Sequence, residues 1–76
     1  SKGNMQAIVD AALAANPQTR LCIAAIALET LQQSIAALAA HGLAAQVTQI
    51  DVSRSKAAGS LHLMMANNPV FLIVRE

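Results

Sequence analysis

Aromatic residues are almost missing: the chain of 76 residues has one Phe, no Trp and no Tyr. Its five basic residues lie scattered at Lys2, Arg20, Arg54, Lys56 and Arg75, and the net charge is only +1. With no basic stripe and no stacking platforms, a nucleic acid has nothing to rest on. The longest apolar run, Leu21 to Leu28, is far short of the ~20 residues of a membrane helix, and no charged-then-apolar start marks a signal peptide. Cys22 is the single cysteine, so no internal disulfide is possible. Inside an apolar run it reads as a buried, inert thiol of a cytoplasmic protein. With His41 and His62 it shows no metal-ligand spacing, so no metal is expected. No Ser-His-Asp or Cys-His arrangement can be placed. The three glycines, Gly3, Gly42 and Gly59, form no G-x-G-x-x-G loop.

What fills the chain instead is alanine, 17 residues in all, within a sequence that is 55% hydrophobic. Alanine buries little area, so a core made from it is shallow. At ~25 cal/mol per Å² of apolar area, so small a chain has little stability to spare. This composition suits elements that pack closely against a larger body.

Met5, Ile8, Val9, Ala12 and Leu13 follow the period of an amphipathic helix. Asn4 is placed to cap it and Asn16-Pro17 to end it, which gives a helix over 5–15. The run "IAAIALET" closes strand A, residues 21–28, on a carboxylate and a hydroxyl. Strand ends of this kind are where open α/β sheets place ligands. Thr30 and Gln33 match a capping box, with Leu31, Ile35 and Leu38 on one helix face and Gly42 as a left-handed stop. Strand B covers about 45–54. "SRSKAAGS" reads as a polar connection, and "LHLMMANN" as a short extended piece ending in a turn, with Met64-Met65 as core filling. Strand C covers 70–74. Strands A and B joined by a helix make a right-handed parallel unit, and strand C can pair antiparallel to B. Strands A and C look apolar on both faces, more than two helices can cover. The chain reads as part of an α/β sheet.

Four segments, "SKGNMQAIVDAAL", "RLCIAAIALETLQQSIAAL", "VTQIDVSRSK" and "HLMMANNPVFLIV", resemble the C-terminal half of the decarboxylating precorrin-6Y (cobalt-precorrin) methyltransferases of cobalamin biosynthesis. The likeness covers nearly all of the chain in order and spacing. It implies a class I S-adenosylmethionine-dependent methyltransferase, Rossmann-like, whose last strand is inserted antiparallel, giving the spatial order A-C-B. By that resemblance residues 1–76 are a C-terminal fragment. The glycine loop and ribose-binding acid that hold S-adenosylmethionine belong to the N-terminal half, so this fragment alone is expected to be inactive and not to bind that cofactor. A small α/β interaction module, or a class I methyltransferase of another substrate, is the rival reading.

The resemblance implies a tetrapyrrole (precorrin) substrate lined by Gly3, Asn4, Glu29, Thr30, Arg54 and Asn68. Each also has a simpler role. Gly3 and Asn4 begin a helix. Thr30 caps one, with Glu29 favoured beside its N-terminus. Arg54, like Lys56, is a solvated cation on a loop, and Asn68 serves a turn before Pro69. Catalytic residues are not indicated. Strand A, apolar and without charge, Pro or Gly, leaves an edge that invites a second chain, so a homo-oligomer is expected.

Overall fold

The computed structural model describes residues 4–76. Helix α1 spans Met5–Ala15, as the periodicity predicts, and buries Val9 and Leu13. Asn4 stands at its N-cap and its carbonyl accepts the Ile8 N–H at 3.0 Å, but its side chain makes no capping bond. Its backbone is already helical rather than extended (φ −99°, ψ −9°). At the other end Asn16 closes a side-chain turn, its Oδ1 accepting the Gln18 N–H at 3.0 Å.

Strand β1 is Cys22–Ala25, helix α2 is Leu28–Ala39 and strand β2 is Ala45–Ile50. Strand A is therefore half the expected length. A continuous apolar run does not reveal where a strand ends and a helix begins. Here the ladder stops at Ala25, which faces Phe71, one residue short of Val70, where the partner strand begins. Ile26 and Ala27 then bend the chain, and the helix begins on Leu28.

Helix α2 ends as Gly42 predicts. Gly42 has φ 71°. Leu43 N–H donates to Leu38 O at 3.0 Å and Gly42 N–H to Ala39 O at 2.9 Å, the paired bonds of a Schellman motif. Its buried face is Ser34, Ala37 and Leu38. Ile35, expected beside Leu38, is instead 39% exposed. The small residues win the inner positions because they let α2 approach its neighbours closely.

Residues 53–66, read as the end of strand B, a polar connection and a short extended piece, form a hairpin. β3 is Ser53–Ala58 and β4 is Leu61–Ala66, in antiparallel register from Ser53↔Ala66 to Ala58↔Leu61. Gly59 has φ 63° while Ser60 has no positive φ, the pattern of a type II′ turn. Strand β5, Val70–Arg75, returns to the main sheet.

The three-stranded sheet has the order β1-β5-β2, with β5 antiparallel to both neighbours. This is the A-C-B order expected above. Arg75 locks the last strand in place: its Nη1 donates to Pro17 O at 2.8 Å and to Thr19 O at 3.1 Å, tying β5 to the loop before β1.

Both helices serve one face of this sheet. Val9, Leu13, Ala25, Ala37, Leu38 and Ile73 make the core, with Ile23, Leu31, Leu43 and Phe71 packed around it. Strand alternation sends Cys22, Ala24, Ile50, Leu72 and Val74 to the opposite face, which no described element covers. Cys22 is accordingly exposed, not buried as its apolar surroundings suggested. The hairpin leaves the body altogether. All twelve of its strand residues are exposed, Met64 and Met65 included. The chain measures 55 × 23 × 18 Å with a radius of gyration of 16.5 Å, against about 11 Å for a compact chain of this length.

Candidate functional site

The register places three chain segments at one end of the sheet. Ala25 faces Phe71 and Ile50 faces Val70, so β1 and β2 finish where β5 begins. The first turn of α2, the Asp51-Val52 link and the Asn67-Asn68-Pro69 segment therefore share that end. This is the carboxyl end of the two parallel strands, the side on which α/β sheets form ligand crevices.

Glu29 stands exposed in the first turn of α2, where a carboxylate complements the helix dipole. Thr30 is in the same turn. It is not the cap: Ala27 holds that position, in extended backbone and with no side-chain capping bond. The Thr30-x-x-Gln33 match fell one turn inside the helix. Counted from Ala27, Thr30 is the third helical residue. Its carbonyl accepts the buried Ser34 hydroxyl at 2.7 Å, and that hydroxyl is a polar core group that periodicity alone did not single out. Thr30→Ala should therefore lower the unfolding free energy measured in urea by less than about 0.5 kcal/mol, not the ~1 kcal/mol of a lost cap. A loss of the larger size would restore the capping role.

Asn68 lies in the link before β5. Its neighbour Asn67 donates its N–H to Val52 O at 3.0 Å, closing the base of the hairpin. Arg54 is not at the end of strand B, because β2 stops at Ile50. It sits on β3, exposed, opposite Met65. Topology thus gathers Glu29, Thr30 and Asn68 at one end and sets Arg54 on the arm beside it. Asn4 belongs to the helix layer, at the start of α1. Gly3 lies outside the described residues. Asp51, not singled out by the sequence reading, joins the same end and accepts from the Gln49 amide at 3.2 Å.

The helix layer holds a second polar group. Asp10 of α1 accepts from Gln6 at 2.8 Å and pairs with His41 Nε2 at 2.7 Å. The Gln6 hydrogen bond first, and then the His41 hydrogen bond, hold the Asp10 carboxyl below its ordinary value. A carboxyl lowered in the folded state adds stability above its unfolded value, and that stability is lost as pH falls through the folded one. Asp10→Asn should therefore flatten the acid limb of a pH–stability curve by slightly lowering stability at neutral pH while leaving it unchanged in acid. An unchanged acid limb would show that the pair contributes nothing.

A cavity of about 200 Å³ opens between the helices, lined by Met5, Gln6, Gln33 and Ala36, none of them at the sheet end. Among the described residues no group of three or more His, Cys, Asp or Glu could hold a metal ion, and no helix is long and apolar enough to cross a membrane.

No family model and no curated relative matches the chain. Solved structures do. A precorrin-8W decarboxylase from Methanobacterium thermoautotrophicum superposes with a TM-score of 0.85 at 28% identity, over 97% of this chain and 40% of that one. A precorrin-6Y C5,15-methyltransferase from Geobacter metallireducens GS-15 gives 0.84 at 26% identity, over 100% of this chain and 39% of that one. The structural neighbours are precorrin enzymes. A putative precorrin-6Y C5,15-methyltransferase domain from Corynebacterium diphtheriae, at 23% identity and a TM-score of 0.58, shares the fold over 74% of this chain. The chain spans about 40% of the length of the first two neighbours.

Proposed function

We propose that this chain is the C-terminal part of an S-adenosylmethionine-dependent, decarboxylating precorrin methyltransferase of cobalamin biosynthesis, and that it forms one wall of the tetrapyrrole cleft. The observation that carries this reading is the superposition of essentially the whole chain on two precorrin enzymes at 26–28% identity. The resemblance of the four sequence segments points the same way.

The division of labour follows from the residues present. Gly42 ends a helix and Gly59 turns a hairpin, so neither belongs to a loop that could cradle the cofactor. The described residues do not fit S-adenosylmethionine, and the donor side is left to the remainder of the enzyme. What this chain offers is shape and polarity at the carboxyl end of its sheet. Asn68 supplies both a donor and an acceptor there. Arg54, on the adjoining arm, matches the carboxylates of a tetrapyrrole with a planar fork. Methyl transfer depends chiefly on holding donor and acceptor carbons in line, and a rigid wall contributes that.

Backbone NMR of the chain titrated with uroporphyrin, a tetrapyrrole polycarboxylate, tests the proposal. Shifts concentrated at Glu29, Thr30, Arg54 and Asn68 are expected, weakened in Arg54→Ala. The same titration with S-adenosylmethionine should move no signal in a saturable way. Uroporphyrin shifts spread evenly over the surface, or saturable micromolar binding of the cofactor, would overturn it.

A further inference from the structure

The bend that follows β1 runs against the usual chemistry of a helix start. The N-cap of α2 is Ala27, between Ile26 and Leu28, and no side chain caps the helix. Ser, Thr, Asp or Asn is strongly preferred there, because a side-chain oxygen satisfies a first-turn N–H. Outside the hairpin, Ile26 at 69% and Leu28 at 61% are the most exposed large apolar side chains among the described residues. A hydrophobic staple would lay Ile26 on Leu31, the fourth residue of the helix, but a side chain this exposed is not held by one. Three consecutive apolar residues thus stand where polar ones would make a firmer helix start and a wetter surface.

They stand at the carboxyl end of β1. On the far side of β5, Ile50 and Val52 add a second apolar pair at the carboxyl end of β2, 40% and 43% exposed. Two strand spacings, about 10 Å, separate β1 from β2, a span that a tetrapyrrole ring can bridge. Polar groups are set among these residues: Glu29 follows Leu28, and Asp51 lies between Ile50 and Val52. Asn68 comes in from the link before β5. Small-molecule sites have this make-up, mostly apolar with a few placed polar groups. A stable protein interface takes about 20–30 residues a side, far more than these.

We propose that Ile26 and Leu28, with Ile50 and Val52 opposite, are the platform on which the flat apolar face of the tetrapyrrole lies. The inference rests on the substrate reading above and specifies how the ring is held. Glu29 and Asp51, next to the platform in the chain, repel the carboxylates at the ring's periphery, so the rim is kept off the platform and the face is admitted. The rim turns instead toward Arg54 on the adjoining arm. The missing cap of α2 then has a reason, since a Ser or Asp at position 27 would bring water and a competing polar group under the ring.

Methyl-detected NMR of the 76-residue chain titrated with uroporphyrin reads the platform directly. The ring current of an aromatic macrocycle shifts a methyl group above its face upfield and one beside its rim downfield. The methyls of Ile26 and Leu28 should move upfield in a saturable way, while those of Ile8, 57% exposed on α1, should stay in place. Ile26→Ser combined with Leu28→Ser should weaken uroporphyrin binding at least tenfold, and Ile8→Ser should leave it unchanged. All of these side chains are exposed, so each variant should keep the circular dichroism spectrum of the parent. Saturable amide shifts at Glu29, Arg54 and Asn68 without upfield methyl shifts would overturn the platform and leave the cleft wall standing. The absence of any localised shift would overturn both. Ile26 and Leu28 methyl signals that move with protein concentration alone would assign this surface to a second copy and overturn the proposal.

Discussion

Ile73→Ala should leave the chain largely unfolded at room temperature. Ile73 is fully buried on the central strand, facing Ile23 on one side and Val47 on the other, with α2 above it. Truncating a buried Ile costs about 2–5 kcal/mol, partly for the cavity left behind. A core this small rarely supplies more than about 3–5 kcal/mol in total. Among the six core residues two are Ala, and alanines have no length with which to collapse into the gap. Far-UV circular dichroism and a thermal melt check the result. Val74→Ala, on the uncovered face of the same strand, is the control and should cost under about 1 kcal/mol. A cooperative melt for Ile73→Ala within a few degrees of the parent would mean that the core lies elsewhere.

Ser34→Leu should be nearly as damaging, for the opposite reason. Ser34 has no exposed surface and lies on the inner face of α2 with Ala37 and Leu38. Its hydroxyl is already bonded to the preceding turn, so the side chain sits flat against its own helix and lets the neighbouring layer come close. A leucine must push that layer away, and overpacking of this kind costs about 1–3 kcal/mol. Ser34→Ala removes only the hydroxyl and its local bond, about 1 kcal/mol or less. Urea midpoints of the two variants decide the matter. A leucine variant as stable as the alanine one would show spare room at this position.

How far the sequence was legible follows from where local signals were strong. Helix α1 was readable at both ends because its apolar period runs without a break and Asn16-Pro17 stops it sharply. Gly42 was readable because a left-handed residue has few substitutes. The order of the three sheet strands came from resemblance to a family; nothing in the strands themselves dictates it. The hairpin was missed because its residues do not alternate between apolar and polar. Arg54 and Lys56 share a face with Leu63 and Met65, so neither strand looks half-buried, and indeed neither is. The available signal was Gly59-Ser60, a two-residue turn between runs of equal length. At the candidate site, Glu29 and Thr30 drew notice as the polar end of an apolar run and Asn68 through the family resemblance, whereas the juxtaposition of their segments depends on strand register. Thr30 was given the wrong task because Thr-x-x-Gln also occurs inside helices, where tertiary packing, not the cap, had already set the start.

Placing the last strand between the first two has a consequence for how the polypeptide is made. β1 and β2 do not touch; each pairs only with β5, and Cys22 meets Val74 across about fifty positions of chain. Until residues 70–75 have left the ribosome, neither strand has a partner among the described strands. At roughly 5–20 residues per second, the apolar segment that includes β1 waits some seconds for β5. Early steps of folding must then rest on the contact between α1 and α2, which closes over a far shorter loop. A nascent chain stalled before Pro69 would carry both helices and a finished hairpin around a sheet with no middle, and it would be the species most in need of a chaperone.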